Sequence, residues 1–190
     1  MQEPLYPHAS LGYRCWRIAV GEAGPRLHPL KRSGNRGPLP CWHPGLNQAD
    51  CFAFGSLREL EHQPPVEHCQ CGIHAYYSYK AAKLQCSWSQ ARSALDSKFV
   101  YGIIAGAGPH QLHVDGFRCR QAIPLGLFKP YLGRAHRNLI EAVAEYYQIP
   151  TFSNRRQAAA HVRQTGALEV PLRLRPTRES QAAYYPPPSA

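Results

Sequence analysis

The sequence predicts an α+β protein, with a small curled β-sheet or barrel first and helices after it. Three observations predict this. Short runs of β-branched and aromatic residues, broken by turn residues, fill the first two thirds of the chain. A 3.6-residue apolar period appears only after Pro130. Residues 51–72 gather cysteines and histidines at a spacing that can hold zinc and staple a small sheet. Composition agrees, because 44% hydrophobic against 18% charged residues allows a buried core. The 18 prolines and 15 glycines favour turns and short strands over long helices. The chain divides into a loose leader at 1–10, a β-rich domain at 11–130, a two-helix appendage forming a hairpin at 131–166, and a flexible basic tail at 167–190.

Residues 12–20 open the β region. Alternation puts Tyr13, Cys15, Arg17 and Ala19 on one face, and Arg14, Trp16, Ile18 and Val20 on the other. Residues 31–40 form a basic Gly/Pro loop, and Trp42-His43-Pro44-Gly45 an aromatic turn. Residues 73–79 read as a strand or a short helix, and 87–97 as a short helix. The clearest strand is Phe99-Val100-Tyr101-Gly102-Ile103-Ile104-Ala105-Gly106, whose glycines suit a sheet bend. Pro109 and His110 mark a break. Leu112-His113-Val114, the Asp115-Gly116 turn and residues 117–122 make a hairpin. Residues 136–147 then place Leu139, Ile140, Val143, Tyr146 and Tyr147 on one helical face. Pro150 ends that unit. Ser153 or Asn154 caps a second helix running to about Gln164, and Gly166 closes it. Residues 167–190 lack an apolar period and read as tail, although 168–174 can pair as an edge strand.

His68-Cys69-Gln70-Cys71-Gly72 is the sharpest motif. A tight turn can aim two thiolates at one ion, and Gly72 tolerates the positive φ that such a turn needs. With Cys51 and His62 upstream, the expected ligands of a structural zinc are Cys51, His62, Cys69 and Cys71. His68 rivals His62 but adjoins Cys69, where bite geometry is poorer, whereas Gln63-Pro64-Pro65 makes a rigid turn behind His62. Cys-x-Cys is less diagnostic than paired Cys-x-x-Cys knuckles. Three other readings stay open: small buried thiols, a strained disulfide and a redox couple.

The chain carries 22 Lys+Arg against 12 Asp+Glu, a net charge of +10. That sign favours nucleic acid, an anionic membrane surface or an acidic protein. Basic density rises at Lys31, Arg32 and Arg36, at Arg118 and Arg120, at Arg155 and Arg156, and at Arg173, Arg175 and Arg178. Lys31, Arg32, Arg36, Arg155, Arg156, Arg163, Arg173 and Arg175 are the candidate nucleic-acid contacts. Residues 141–164 outline helix, turn and basic helix. A plain helical hairpin with a solvated basic face is the expected form, with a DNA-reading helix-turn-helix as its alternative. Seven cysteines, an odd count, and no apolar signal segment after Met1 predict a reducing cytoplasm. The longest apolar run, 99–108, is too short to span a bilayer.

Sequence also weighs against most enzyme classes. There is no nucleophile elbow, no Walker-type phosphate loop and no His-Glu-x-x-His. The His-x-Glu and Pro-Cys-x-x-Cys of a zinc deaminase are missing too.

Several of these residues recur in one order: Gly12-Tyr13-Arg14-x-Trp16-Arg17, Trp42-x-Pro44-Gly45, Cys51, His62-x-x-Pro65, Cys69-x-Cys71-Gly72-Ile73-x-Ala75, Tyr101-Gly102 and Asp115-Gly116-Phe117-Arg118. The chain resembles a largely uncharacterised family of small bacterial, notably actinobacterial, and phage proteins. Those carry a Gly-Tyr-Arg-x-Trp-Arg start and a Cys-x-Cys-Gly-Ile-Tyr-Ala core. The likeness covers roughly residues 12–130, and His74 departs from the usual tyrosine. It implies the domain boundary and the Cys/His set, and it implies no reaction. The expected function is a non-catalytic zinc-binding module that contacts nucleic acid or a nucleoprotein assembly through a basic surface. A protein–protein adaptor for an acidic partner is the second reading. A zinc-dependent enzyme with an open coordination position at Cys51, Cys69 and Cys71 is the third.

Overall fold

The computed structural model describes residues 9–30, 41–49, 63–66, 71–93, 97–129 and 133–177. The fold is α+β, with a mixed sheet and three α-helices among the described residues. In chain order the elements are β1 (Ser10–Gly21), β2 (Gly24–His28), β3 (Asn47–Gln48), β4 (Ile73–Tyr76), α1 (Tyr79–Ala91), β5 (Lys98–Leu112), β6 (Gly116–Phe128), α2 (Arg134–Tyr147), β7 (Thr151–Phe152), α3 (Arg155–Thr165) and β8 (Leu168–Glu169). A 3-10 turn, Leu172–Leu174, follows. No helix among these residues is long and apolar enough to cross a membrane.

Strand pairing closes on itself. β1 pairs with β5, β5 with β6, β6 with β4, and β4 with β1 through the single bridge Tyr13–Tyr76, all antiparallel. β2 takes up the same edge of β1 from Arg17 onward. β3 and β7 extend β6, and β8 runs parallel to β1. A ring this small needs close backbone approach. A Cβ on Gly102 would collide with the Gly126 carbonyl, and one on Gly116 with the carbonyl of Ala75.

Alternation along β1 and β5 sorts side chains into two cores. Trp16 and Ile18 meet Ala75, Val100, Ile104, Phe117 and Cys119, so every strand of the ring contributes. α2 joins that core with Ile140, Val143, Ala144 and Tyr147. The alternate residues Leu11, Tyr13, Cys15, Phe99, Tyr101 and Ile103 sit in the second core. Ala82 and Cys86 of α1 and Ala158 and Val162 of α3 complete it. Both faces of β1 and β5 are therefore buried, which explains the unbroken apolar run at 99–106.

Several expected boundaries move. The helix expected at 87–97 lies at Tyr79–Ala91, because Ser78 caps it by accepting from the Lys80 N–H at 3.2 Å. Of residues 73–79, Ile73–Tyr76 form a strand, and Tyr79 begins this helix. The break at Pro109 and His110 is a bulge inside one strand, where register shifts between Ala107 and His110 and Gly108 takes φ +73°. The hairpin closes over Asp115 as expected, with the His113 N–H donating to the Gly116 carbonyl at 2.8 Å. Asn154 caps α3 by accepting from the Gln157 N–H at 3.0 Å, and Gly166 ends it in the left-handed region. Between α2 and α3 runs β7, paired with the end of β6, and the two helices bury their apolar faces in different cores. Leu168–Glu169 pairs with Ser10 and Leu11, so edge pairing rather than free tail begins there.

Candidate functional site

Of the expected zinc ligands, Cys71 is described, while Cys51, His62 and Cys69 lie outside the described residues, as does the rival His68. Lys31, Arg32 and Arg36 also lie outside them. No group of three or more potential metal ligands occurs among the described residues. Gly72 has φ +106°, the left-handed conformation that the turn reading requires. An added Cβ there would sit 3.3 Å from Cβ of both Arg118 and Pro65.

Beneath this turn lies a residue whose role sequence reasoning misplaced. Arg118, counted there with the basic surface, is 2% exposed. It follows Phe117 on β6, so alternation turns it away from the ring's core and under the chain before β4. Its Nη1 donates to the Cys71 carbonyl at 3.1 Å and its Nη2 to the Val66 carbonyl at 3.3 Å. Nη2 also donates to Gln111 Oε1, and Nε donates to His113 Nε2 at 3.0 Å. One guanidinium thus ties Val66 and Cys71 to the β5–β6 hairpin. His113 accepts at Nε2, so its proton sits on Nδ1. Burial, and then the Arg118 charge, lower the His113 pKa, which keeps the ring neutral.

The described candidate arginines divide into two groups. Arg156, Arg163 and Arg173 are exposed, and none forms an ion pair among the described residues. Arg156 and Arg163 stand seven residues apart on α3, two turns along one face. α3 contains no carboxylate. Arg155, also exposed, hydrogen-bonds Tyr13, whose pKa rises through burial while Arg155 opposes the rise. Arg175 turns inward: its Nε and Nη2 donate to the Val170 carbonyl at 3.0 and 2.8 Å, and its guanidinium lies 4.2 Å from the Tyr77 ring centroid. It is half-buried and holds the chain after β8 against the sheet.

A cavity of about 400 Å³ opens beside β4, and the sequence does not single it out. Its described lining includes Arg14, Leu30, His74, Tyr76, His113 and Phe117. The cause is the pairing pattern. β1 has β4 beside it only at Tyr13 and β2 only from Arg17, so the edge at Arg14, Cys15 and Trp16 has no strand partner among the described residues. Arg14 is anchored there. It donates to the His74 carbonyl, and its guanidinium carbon lies 5.2 Å from the Trp42 ring centroid.

No family model, no curated protein and no solved structure matches this chain.

Proposed function

We propose that this protein is a non-catalytic, zinc-stapled module that contacts nucleic acid or a nucleoprotein assembly through a basic surface. The observation that carries this reading is the face of α3. Arg156 sits in the first turn, where the helix dipole is positive, and no acidic residue offsets it. A cation there is unfavourable by about 0.3–1 kcal/mol at low salt, and a bound phosphate reverses the sign. Arg163 and Arg173 add exposed charge, and the bulk between Arg156 and Arg163 is small, with Ala159 and Ala160 exposed. Cys51, His62, Cys69 and Cys71 form a Cys3His donor set of the kind that structural zinc takes. Gly72 and the Arg118 clamp support a tight turn at its Cys71 end.

Fluorescence anisotropy with labelled single- and double-stranded DNA and RNA tests the reading. Log affinity should fall linearly with log salt, and replacing Arg156 and Arg163 by Gln should flatten the slope by about one to two. All sequences should weaken alike, because phosphate contacts carry no base information. An absence of binding at low salt overturns the reading. An unchanged slope with intact binding moves the contact off α3.

A further inference from the structure

We infer that the outward ridge of α1 docks on an anionic lipid surface. The inference does not rest on the basic face of α3. α1 turns small residues inward, with Ala82 and Cys86 buried. Its large apolar residues face out: Leu84 is 48% exposed and Trp88 54%. Lys80, Leu84, Trp88 and the C-cap residue Arg92 are spaced four apart, and all four are exposed. That spacing puts them on one ridge, about 18 Å long. The order along it is cation, apolar, apolar, cation. Lys83, Ser87 and Ala91 flank the ridge and are exposed too. α1 contains no carboxylate.

That order suits a helix lying in the plane of a membrane interface. Indole and leucine enter the boundary between headgroups and acyl chains, while the lysine and arginine stems bend back so that their charges meet lipid phosphates. Trp88 suits that depth, because its ring is apolar and its N–H is polar. Ser87 donates its hydroxyl to the Lys83 carbonyl at 3.1 Å, so it meets lipid with its hydrogen already bonded. Lys80 lies in the first turn, against the helix dipole, and a lipid phosphate there removes the mismatch. The net charge of +10 draws the chain toward an anionic leaflet. Leu84 favours lipid over nucleic acid, since a base stacks on Trp88 but gains nothing comparable from an aliphatic side chain.

The chain's three tryptophans make the test specific. Trp16 and Trp42 are 0% and 4% exposed, so a change of emission on docking reports Trp88. The full chain is titrated with phosphatidylcholine vesicles, with and without phosphatidylserine. Vesicles containing phosphatidylserine should shift the emission to the blue, and phosphatidylcholine alone should not. Co-sedimentation gives the affinity. Lys80→Gln/Arg92→Gln should weaken it about ten-fold or more. Leu84→Gln/Trp88→Gln should do the same with no change of charge, also about ten-fold or more. All four side chains are exposed, so both variants should fold; if either does not, the parent's emission shift decides. The Arg156→Gln/Arg163→Gln protein should keep its blue shift, which separates this ridge from the α3 face. No blue shift with phosphatidylserine at low salt overturns the inference, as does sedimentation that leaves the emission unchanged. A folded Leu84→Gln/Trp88→Gln protein with unchanged affinity overturns it too. Oligo(dT) that quenches Trp88 while vesicles do nothing also overturns it and gives the ridge to nucleic acid.

Discussion

At the scale of single residues, Arg118 has more consequence than any exposed arginine. It reaches two backbone carbonyls and two side chains from one buried position. Truncation would leave the Cys71 and Val66 carbonyls without these donors, at the place of a side chain that is itself buried. Each stranded buried polar group costs about 1–3 kcal/mol, so Arg118→Ala should lose on the order of 3 kcal/mol. Arg118→Lys keeps the charge and discards the fork. One ammonium cannot replace a fork that reaches the Cys71 and Val66 carbonyls together, so the lysine variant should still lose about 2 kcal/mol. Urea denaturation followed by Trp fluorescence measures both variants. A lysine protein as stable as the parent would show that charge, and not fork geometry, is what the site uses.

Among the elements, α2 shows how a helix is fixed to a sheet edge by one side chain. The Tyr147 hydroxyl donates to the Trp42 carbonyl and accepts from the Leu27 N–H at 3.1 Å, while the Trp42 N–H donates to the Leu27 carbonyl at 2.8 Å. Tyr147→Phe should therefore cost about 1–3 kcal/mol at neutral pH. Burial pushes the Tyr147 pKa up to about 12 from its usual value near 10. The folded state favours the neutral phenol and the unfolded state ionises first. The tyrosine's contribution is thus complete below pH 10 and lost as pH rises from 10 to 12. Denaturation at pH 8 and pH 11 should show the gap between parent and variant narrowing by about 1 kcal/mol. A gap that widens would refute the assigned state. This helix was legible in sequence because Ile140, Val143 and Tyr147 repeat on one apolar face. α1 was not, since its buried stripe is only Ala82 and Cys86 while Leu84 and Trp88 are exposed, which blurs the period. The two-residue strands β3 and β7 carry too few side chains for any alternation. Arg14 and His74 come together through β1–β4 pairing across sixty residues, so no local pattern reveals their cavity.

For the whole molecule, the two cores and the metal set are separate sources of stability, and removing metal should tell them apart. Trp16, Val100 and Leu127 in one core, and Tyr101, Ile103 and Phe128 in the other, come from the strands of the ring. The turn at Gly72 is joined to that frame through Arg118 and through β4. Zinc bound by Cys51, His62, Cys69 and Cys71 would add its binding energy to folding. The expected content is about one zinc per chain, because structural zinc is four-coordinate. Chelation should lower the melting temperature without abolishing the cooperative transition, since the ring and its helices remain. A loss of about 3 kcal/mol corresponds to roughly 6–12 °C for a chain of this size. Cys71→Ser should melt close to the chelated parent and respond little to chelator. Elemental analysis and calorimetry with and without 1,10-phenanthroline make the measurement. Protein that holds no zinc, or whose melting temperature ignores the chelator, would return the four side chains to the reading of buried thiols around an arginine clamp. In that case Arg118, not a metal ion, organises the turn at Gly72, and Arg118→Ala should exceed Cys71→Ser in cost.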